Sequence, residues 1–149
     1  MNVVLDTNVL VSGLLSPFSP CAEIVRMLAA GELRLCLDAR LLTEYRQVLQ
    51  RPRFQFDGEL VADLLDHASH TGTVVSALPL AHPLRDPDDA PFLEVALAGR
   101  AACLVTGNLR HFPAPLAAGV RVLSPRSFLD WHRQQAPGPA RPRANGRRD

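Results

Sequence analysis

An α/β fold on a central parallel sheet is the architecture this sequence predicts, and three observations predict it. Short apolar runs alternate with longer segments of helical periodicity, in the order expected of βαβ units. Two of the runs, Val3-Val4-Leu5 and Cys103-Leu104-Val105, are apolar throughout, as strands covered on both faces are. At 149 residues and 47% hydrophobic, with no internal repeat, the chain has the length of one domain and enough apolar mass for one core.

Each element has its own signal. Met1 to Leu5 reads as a buried strand. Residues 20–30 read as a helix: Ser19 can cap it, Pro20 suits its first turn and Gly31 ends it. Leu33 to Leu37 is a second strand. Residues 39–50 place Leu41, Leu42, Tyr45, Val48 and Leu49 on one helical face, and residues 58–70 do the same with Leu60, Val61, Leu64 and Leu65. A weak strand is expected near Thr73 to Val75, a helix over 88–98 stopped by Gly99, and a strand over 102–106. Val120 to Leu123 is the last strand, and Ser124-Pro125 opens a final helix reaching about Gln134.

Composition narrows the function. No apolar stretch is long enough to span a membrane, and the first residues lack the basic and cleavage regions of a signal peptide, so a cytoplasmic protein is expected. Cys21, Cys36 and Cys103 have no metal-ligand spacing and read as buried thiols. All 16 basic residues are arginine, which with the many Ala and Pro fits a GC-rich coding sequence. The formal charge of +1 divides into +3 on residues 137–149 and about −2 on the rest. A domain is therefore expected over 1–135, followed by a disordered Arg/Pro/Gly-rich tail over 136–149.

The strands end in chemistry. VVL runs into Asp6-Thr7-Asn8, and CLV runs into Thr106-Gly107-Asn108. In a parallel sheet, ligands bind beyond the carboxyl ends of the strands. Glu44 lies early in the helix after the second strand, at the border of its apolar face. RDPDDAPF puts Asp86, Asp88 and Asp89 at another helix start. Taken singly, Asp88 or Asp89 reads as a helix cap, Glu44 as a solvated helix residue and Asn108 as a turn residue; an acid directly after VVL demands a partner. Together they share a rim. Carboxylates gathered in one cleft repel unless some take protons or a cation holds them ionised, and an all-oxygen set favours Mg²⁺ or Mn²⁺. His67 and His70 share a helix without a third metal partner. The residues alone thus point to metal-dependent phosphoryl chemistry, on nucleic acid or a small phosphate ester.

VVLDTNVLVSGLL, LLTEYRQVL, RDPDDAPFLEVALAG, CLVTGNLRHF and VRVLSPRSFL, in that order, resemble the PIN-domain family, most of all its bacterial branch of toxin–antitoxin toxins (VapC-like). The resemblance covers residues 1 to about 131. It implies a three-layer α/β/α fold and a Mg²⁺- or Mn²⁺-dependent endoribonuclease. It also implies an acidic quartet at Asp6, Glu44, one Asp of the Asp88-Asp89 pair and the position of Asn108. Asp89 is preferred, because Phe92 and Ala96 then fall on the buried helix face, with Asp88 as the alternative. Thr7, Asn8 and Thr106 are expected to orient the acids. An RNA substrate, an antitoxin partner and a homodimer follow from the same resemblance.

The chain departs from the family at Asn108, where an acid is usual. An amide can ligate but brings no charge, so one metal is expected to remain and a second to bind more weakly. Arg46, Arg51, Arg53, Arg85, Arg110 and His111 are the expected phosphate contacts, which position RNA without reading its sequence. The rival readings are a catalytically weak or inactive PIN module that binds RNA or protein, and a haloacid-dehalogenase-like phosphatase. The latter wants an acid where Asn8 stands and a lysine this chain lacks.

Overall fold

In the computed structural model, residues 1–135 are described. The expected tail over 136–149 lies outside them. Five strands, β1 (Asn2–Leu5), β2 (Arg34–Leu37), β3 (Thr73–Val74), β4 (Cys103–Val105) and β5 (Val122–Leu123), form one all-parallel sheet in the order β3-β2-β1-β4-β5. Helices flank it: α1 (Thr7–Leu15), α2 (Pro20–Ala29), α3 (Ala39–Leu49), α4 (Gly58–Thr71), α5 (Ala90–Ala98) and α6 (Pro125–Gln135). The α/β parallel-sheet class is therefore the one observed. From β1 the chain steps one way to β2 and β3, then crosses back to β4 and β5. With right-handed crossovers the two directions of travel cover opposite faces.

The core is apolar and continuous. Val3, Val4 and Leu5 of β1, Cys103, Leu104 and Val105 of β4, and Leu93 and Val95 of α5 are fully buried. Burial of this kind contributes about 1.5–3 kcal/mol per large side chain. Cys36 and Cys103 are buried and Cys21 is half-buried; burial pushes the Cys103 thiol up to about 12, which makes it inert.

Local signals act as expected at several helix ends. Ser19 accepts from the Ala22 amide at 3.1 Å, and Ser124 accepts from Ser127 at 3.1 Å. Gly31 follows α2 at φ 79, a left-handed conformation that suits glycine. Gly99 ends α5 for another reason. The left-handed residue there is Arg100, at φ 47, while a Cβ on Gly99 would meet Cys36 Sγ at 2.9 Å.

Three expectations need correction. Thr7–Leu15 is a helix that periodicity did not suggest, because VLVSGLL is apolar on every side and has no stripe. Leu60 does not join Val61, Leu64 and Leu65 on the inner face of α4 but is 67% exposed, since only Val61, Leu65 and Ala68 point at the core. The helix expected from 88 begins at Ala90, preceded by a 3₁₀ turn over Pro87–Asp89 that is capped by Asp86. Pro91 lacks an amide hydrogen and so suits the first turn of α5.

Candidate metal and catalytic site

The strand order reverses at β1. β2 lies on one side of it and β4 on the other, and their outgoing chains diverge at the carboxyl edge. Such a switch point opens a crevice. Asp6 leaves β1 there, and Thr106 leaves β4 beside it, in register with the Leu5–Val105 pair.

Asp6 is 8% exposed, and it occupies the N-cap position of α1 without capping it. Its Oδ2 instead accepts from Thr106 Oγ1 at 2.7 Å and from Asn8 Nδ2 at 3.3 Å. Asp38 offers a contrast from the same position after β2. Its carboxylate caps α3 through the Leu41 amide at 3.1 Å and pairs with Arg40 at 2.8 Å. One strand-end acid is consumed by the fold, while the other is held by side chains and kept from its capping role.

Around Asp6 the helpers form a frame. Thr106, fully buried, donates to Asp6 and accepts from the Asn108 amide at 3.0 Å. Asn8 bridges to the facing loop, where its Oδ1 accepts from the Gly107 amide at 3.2 Å. Thr7 donates to Glu44 Oε2 at 2.8 Å, so Glu44 on α3 is tied to the residue after Asp6. Beneath this layer, the fully buried Tyr45 donates its hydroxyl to the Leu5 carbonyl.

Asp89 approaches from the start of α5. Its side chain is 13% exposed, whereas Asp88 is exposed and has no comparable contact. Phe92 and Ala96 are buried on α5, as are the three residues between them. Asp89 Oδ2 lies 2.9 Å from His111 Nδ1 and is otherwise shut from solvent, with no other partner among the described residues. Asp86, Asp89 and His111 bring one potential ligand atom each to within 4.8 Å of one another.

The electrostatics follow from crowding. Burial pushes the Asp6 carboxyl above its usual range; the Thr106 hydrogen bond pulls it back, and the charge on Asp89 adds to the rise. Burial also raises Asp89, with His111 opposing and Asp86 reinforcing the shift. A divalent cation would relieve both. The residues fit one: the donors are hard oxygens with one imidazole, and Asp89 Oδ2 is a buried acceptor whose one polar partner among the described residues is His111 Nδ1.

Asn108 is exposed. Its carbonyl accepts from the His111 amide at 3.0 Å, which closes a 3₁₀ turn over Leu109–His111, and its side chain makes no capping bond there. Arg46, Arg51, Arg53, Arg85 and Arg110 are all exposed. Arg53 stacks on Phe54, 4.8 Å from the ring centre. Gly107, Asn108, Arg110, His111 and Ser124 line an open cleft of about 470 Å³ beside the acids. Sequence reasoning placed His111 among phosphate contacts and missed its approach to Asp89; a histidine three residues past the strand-end Asn108 was the available signal. It also missed Glu94, a buried acid that pairs with Arg40 at 2.6 Å and accepts from the Leu80 amide at 3.0 Å.

Comparison with curated proteins gives no match. A family model described as PIN domain matches residues 2–110, from β1 to the turn beyond β4. The matched segment contains the strand-end Asp6, its frame of Thr7, Asn8 and Thr106, and both Glu44 and Asp89. PIN domains as a class are metal-dependent nucleases, which is the chemistry these crowded carboxylates suit. The chain belongs to the PIN-domain family.

Proposed function

We propose that this protein is a Mg²⁺- or Mn²⁺-dependent endoribonuclease acting in the cytoplasm as the toxin of a toxin–antitoxin pair. The observation that carries the nuclease reading is the half-buried Asp89 carboxylate, close enough to the buried Asp6 for its charge to raise that carboxyl. The VapC-like motifs support the toxin assignment, with an antitoxin as the protein partner and a homodimer as the working form.

Asp6, Glu44 and Asp89 would hold the cation, with Asp86 and Asn108 at its border. Bound there, a divalent ion supplies Lewis-acid stabilisation of phosphate charge and a more acidic water. The chain's own part is positioning. Thr106 and Asn8 fix Asp6 Oδ2, Thr7 fixes Glu44, and the exposed Arg110 beside the cleft offers a donor fork to a phosphate. Arg46 and Arg85, further along the exposed surface, extend the basic contacts.

The test is a cleavage assay on single-stranded RNA with Mg²⁺ or Mn²⁺. Cleavage that stops with chelator and in Asp6→Asn is the expected result. RNA retained without cleavage, in both metals, overturns it in favour of a binding module. The neutral Asn108, whose side chain makes no capping bond, is the observation that favours that second reading.

A further inference from the structure

We propose that His111 is a metal ligand through its imidazole nitrogen, and that it tunes the site toward Mn²⁺-like transition ions over Mg²⁺. The inference rests on the metal-dependent reading above and deepens it. Two observations carry it independently. First, the ligand atoms of Asp86, Asp89 and His111 converge within 4.8 Å although they come from two separate chain segments, a spacing one ion can bridge. Second, His111 Nδ1 stands 2.9 Å from Asp89 Oδ2, an oxygen shut from solvent that has no other partner among the described residues. At that spacing the two atoms can serve as neighbouring ligands of one cation.

The backbone gives the histidine a fixed seat. The turn over Leu109–His111 is closed by the His111 amide on the Asn108 carbonyl, and the Asn108 amide is held by Thr106 Oγ1, which itself donates to Asp6. Two hydrogen bonds of the chain thus connect the histidine's turn to the hydroxyl that fixes Asp6. The imidazole is 46% exposed, so ring substitution leaves the core untouched.

The chemistry sets the selectivity. Mg²⁺ prefers six oxygens, whereas an imidazole nitrogen moves preference along the first-row series toward transition ions. Removing even an outer-shell partner of a metal ligand costs roughly 10–100-fold in affinity, so losing the ligand itself should cost at least about tenfold.

The experiment uses tag-free full-length protein loaded with Mn²⁺, without RNA, read by pulsed electron paramagnetic resonance for nitrogen coupling to the bound ion. Competition binding of Mg²⁺ accompanies it. The expected result is a nitrogen signal in the wild type that is absent in His111→Ala. Mn²⁺ affinity should fall at least tenfold in that variant and Mg²⁺ affinity less than threefold. In His111→Asp, Mn²⁺ binding should return without nitrogen coupling. Bound Mn²⁺ with no nitrogen signal in the wild type, or a signal that persists in His111→Ala, overturns this inference and leaves the nuclease reading standing. No bound Mn²⁺ at all overturns both.

Discussion

Replacing Thr106 by valine isolates the frame around Asp6. The substitution keeps the shape of a fully buried side chain and deletes one hydroxyl, which donates to Asp6 Oδ2 at 2.7 Å. Hydrogen bonds to a charged acceptor contribute about 1.5–3 kcal/mol, so a loss of ~2 kcal/mol is expected at neutral pH. For a chain of this size that corresponds to a Tm lower by roughly 6 °C. The other bond of the hydroxyl, from the Asn108 amide, adds little, because Asn108 is exposed and water can replace it. The sign of the pH dependence is specific. The hydroxyl favours the ionised carboxylate, so the variant's deficit should be full where Asp6 is ionised and narrow as acid protonates it. The acidic limb of the cleavage profile should move to higher pH. Urea denaturation of metal-free protein across pH, beside cleavage rates over the same range, measures both. A deficit below ~0.5 kcal/mol at neutral pH together with an unmoved acidic limb would refute the reasoning.

Other outcomes follow from the same geometry. Asp6→Asn should abolish cleavage while leaving the metal-free protein as stable or about 1 kcal/mol more stable by thermal unfolding, because a crowded charge is removed. In metal-free wild type, Asp6 and Asp89 both have carboxyls raised above the usual 3.8, so the stability they confer is complete below that pH and is lost as pH rises through their folded values. Saturating Mn²⁺ should flatten that slope in urea titrations, and an unchanged slope counts against metal binding by these two acids. Asn108→Asp should lower the metal concentration for half-maximal cleavage about fivefold, or ~1 kcal/mol, and Asn108→Ala should be milder than Asp6→Ala. Gly72→Ala should destabilise by ~2–3 kcal/mol in denaturation, since its Cβ would sit 2.3 Å from the Leu35 carbonyl oxygen and 2.5 Å from that of Ala68.

The parallel-sheet class was legible because it rests on a strong local rule. Apolar runs of strand length made β1 and β4 plain; the resemblance named Thr106 as a helper of the acids, and the fold brings it to Asp6 across a separation of 100 residues. What stayed hidden depends on tertiary choice. LCLD and VVLD look alike, yet Asp38 caps a helix and Asp6 does not; the difference lies in Arg40 and the Leu41 amide on one side and in Thr106 on the other. Helix α1 escaped notice because its residues are apolar all round. His111 escaped because its contact with Asp89 spans 22 positions and only the folded turn creates it.

The pairing of β1 with β4 has a consequence for how the protein is made. β1 precedes its partner β2 by some thirty residues. Its other edge must wait for residues 103–105, and Thr106 comes directly after them. A nascent or truncated chain that stops short of this point holds Asp6, Glu44 and Asp89 without the hydroxyl and loop that fix them. The arrangement around Asp6 therefore forms only after the crossover to β4, as a single closing event across the sheet. The order of the strands makes the frame around Asp6 wait for the long-range β1–β4 pairing rather than for local contacts.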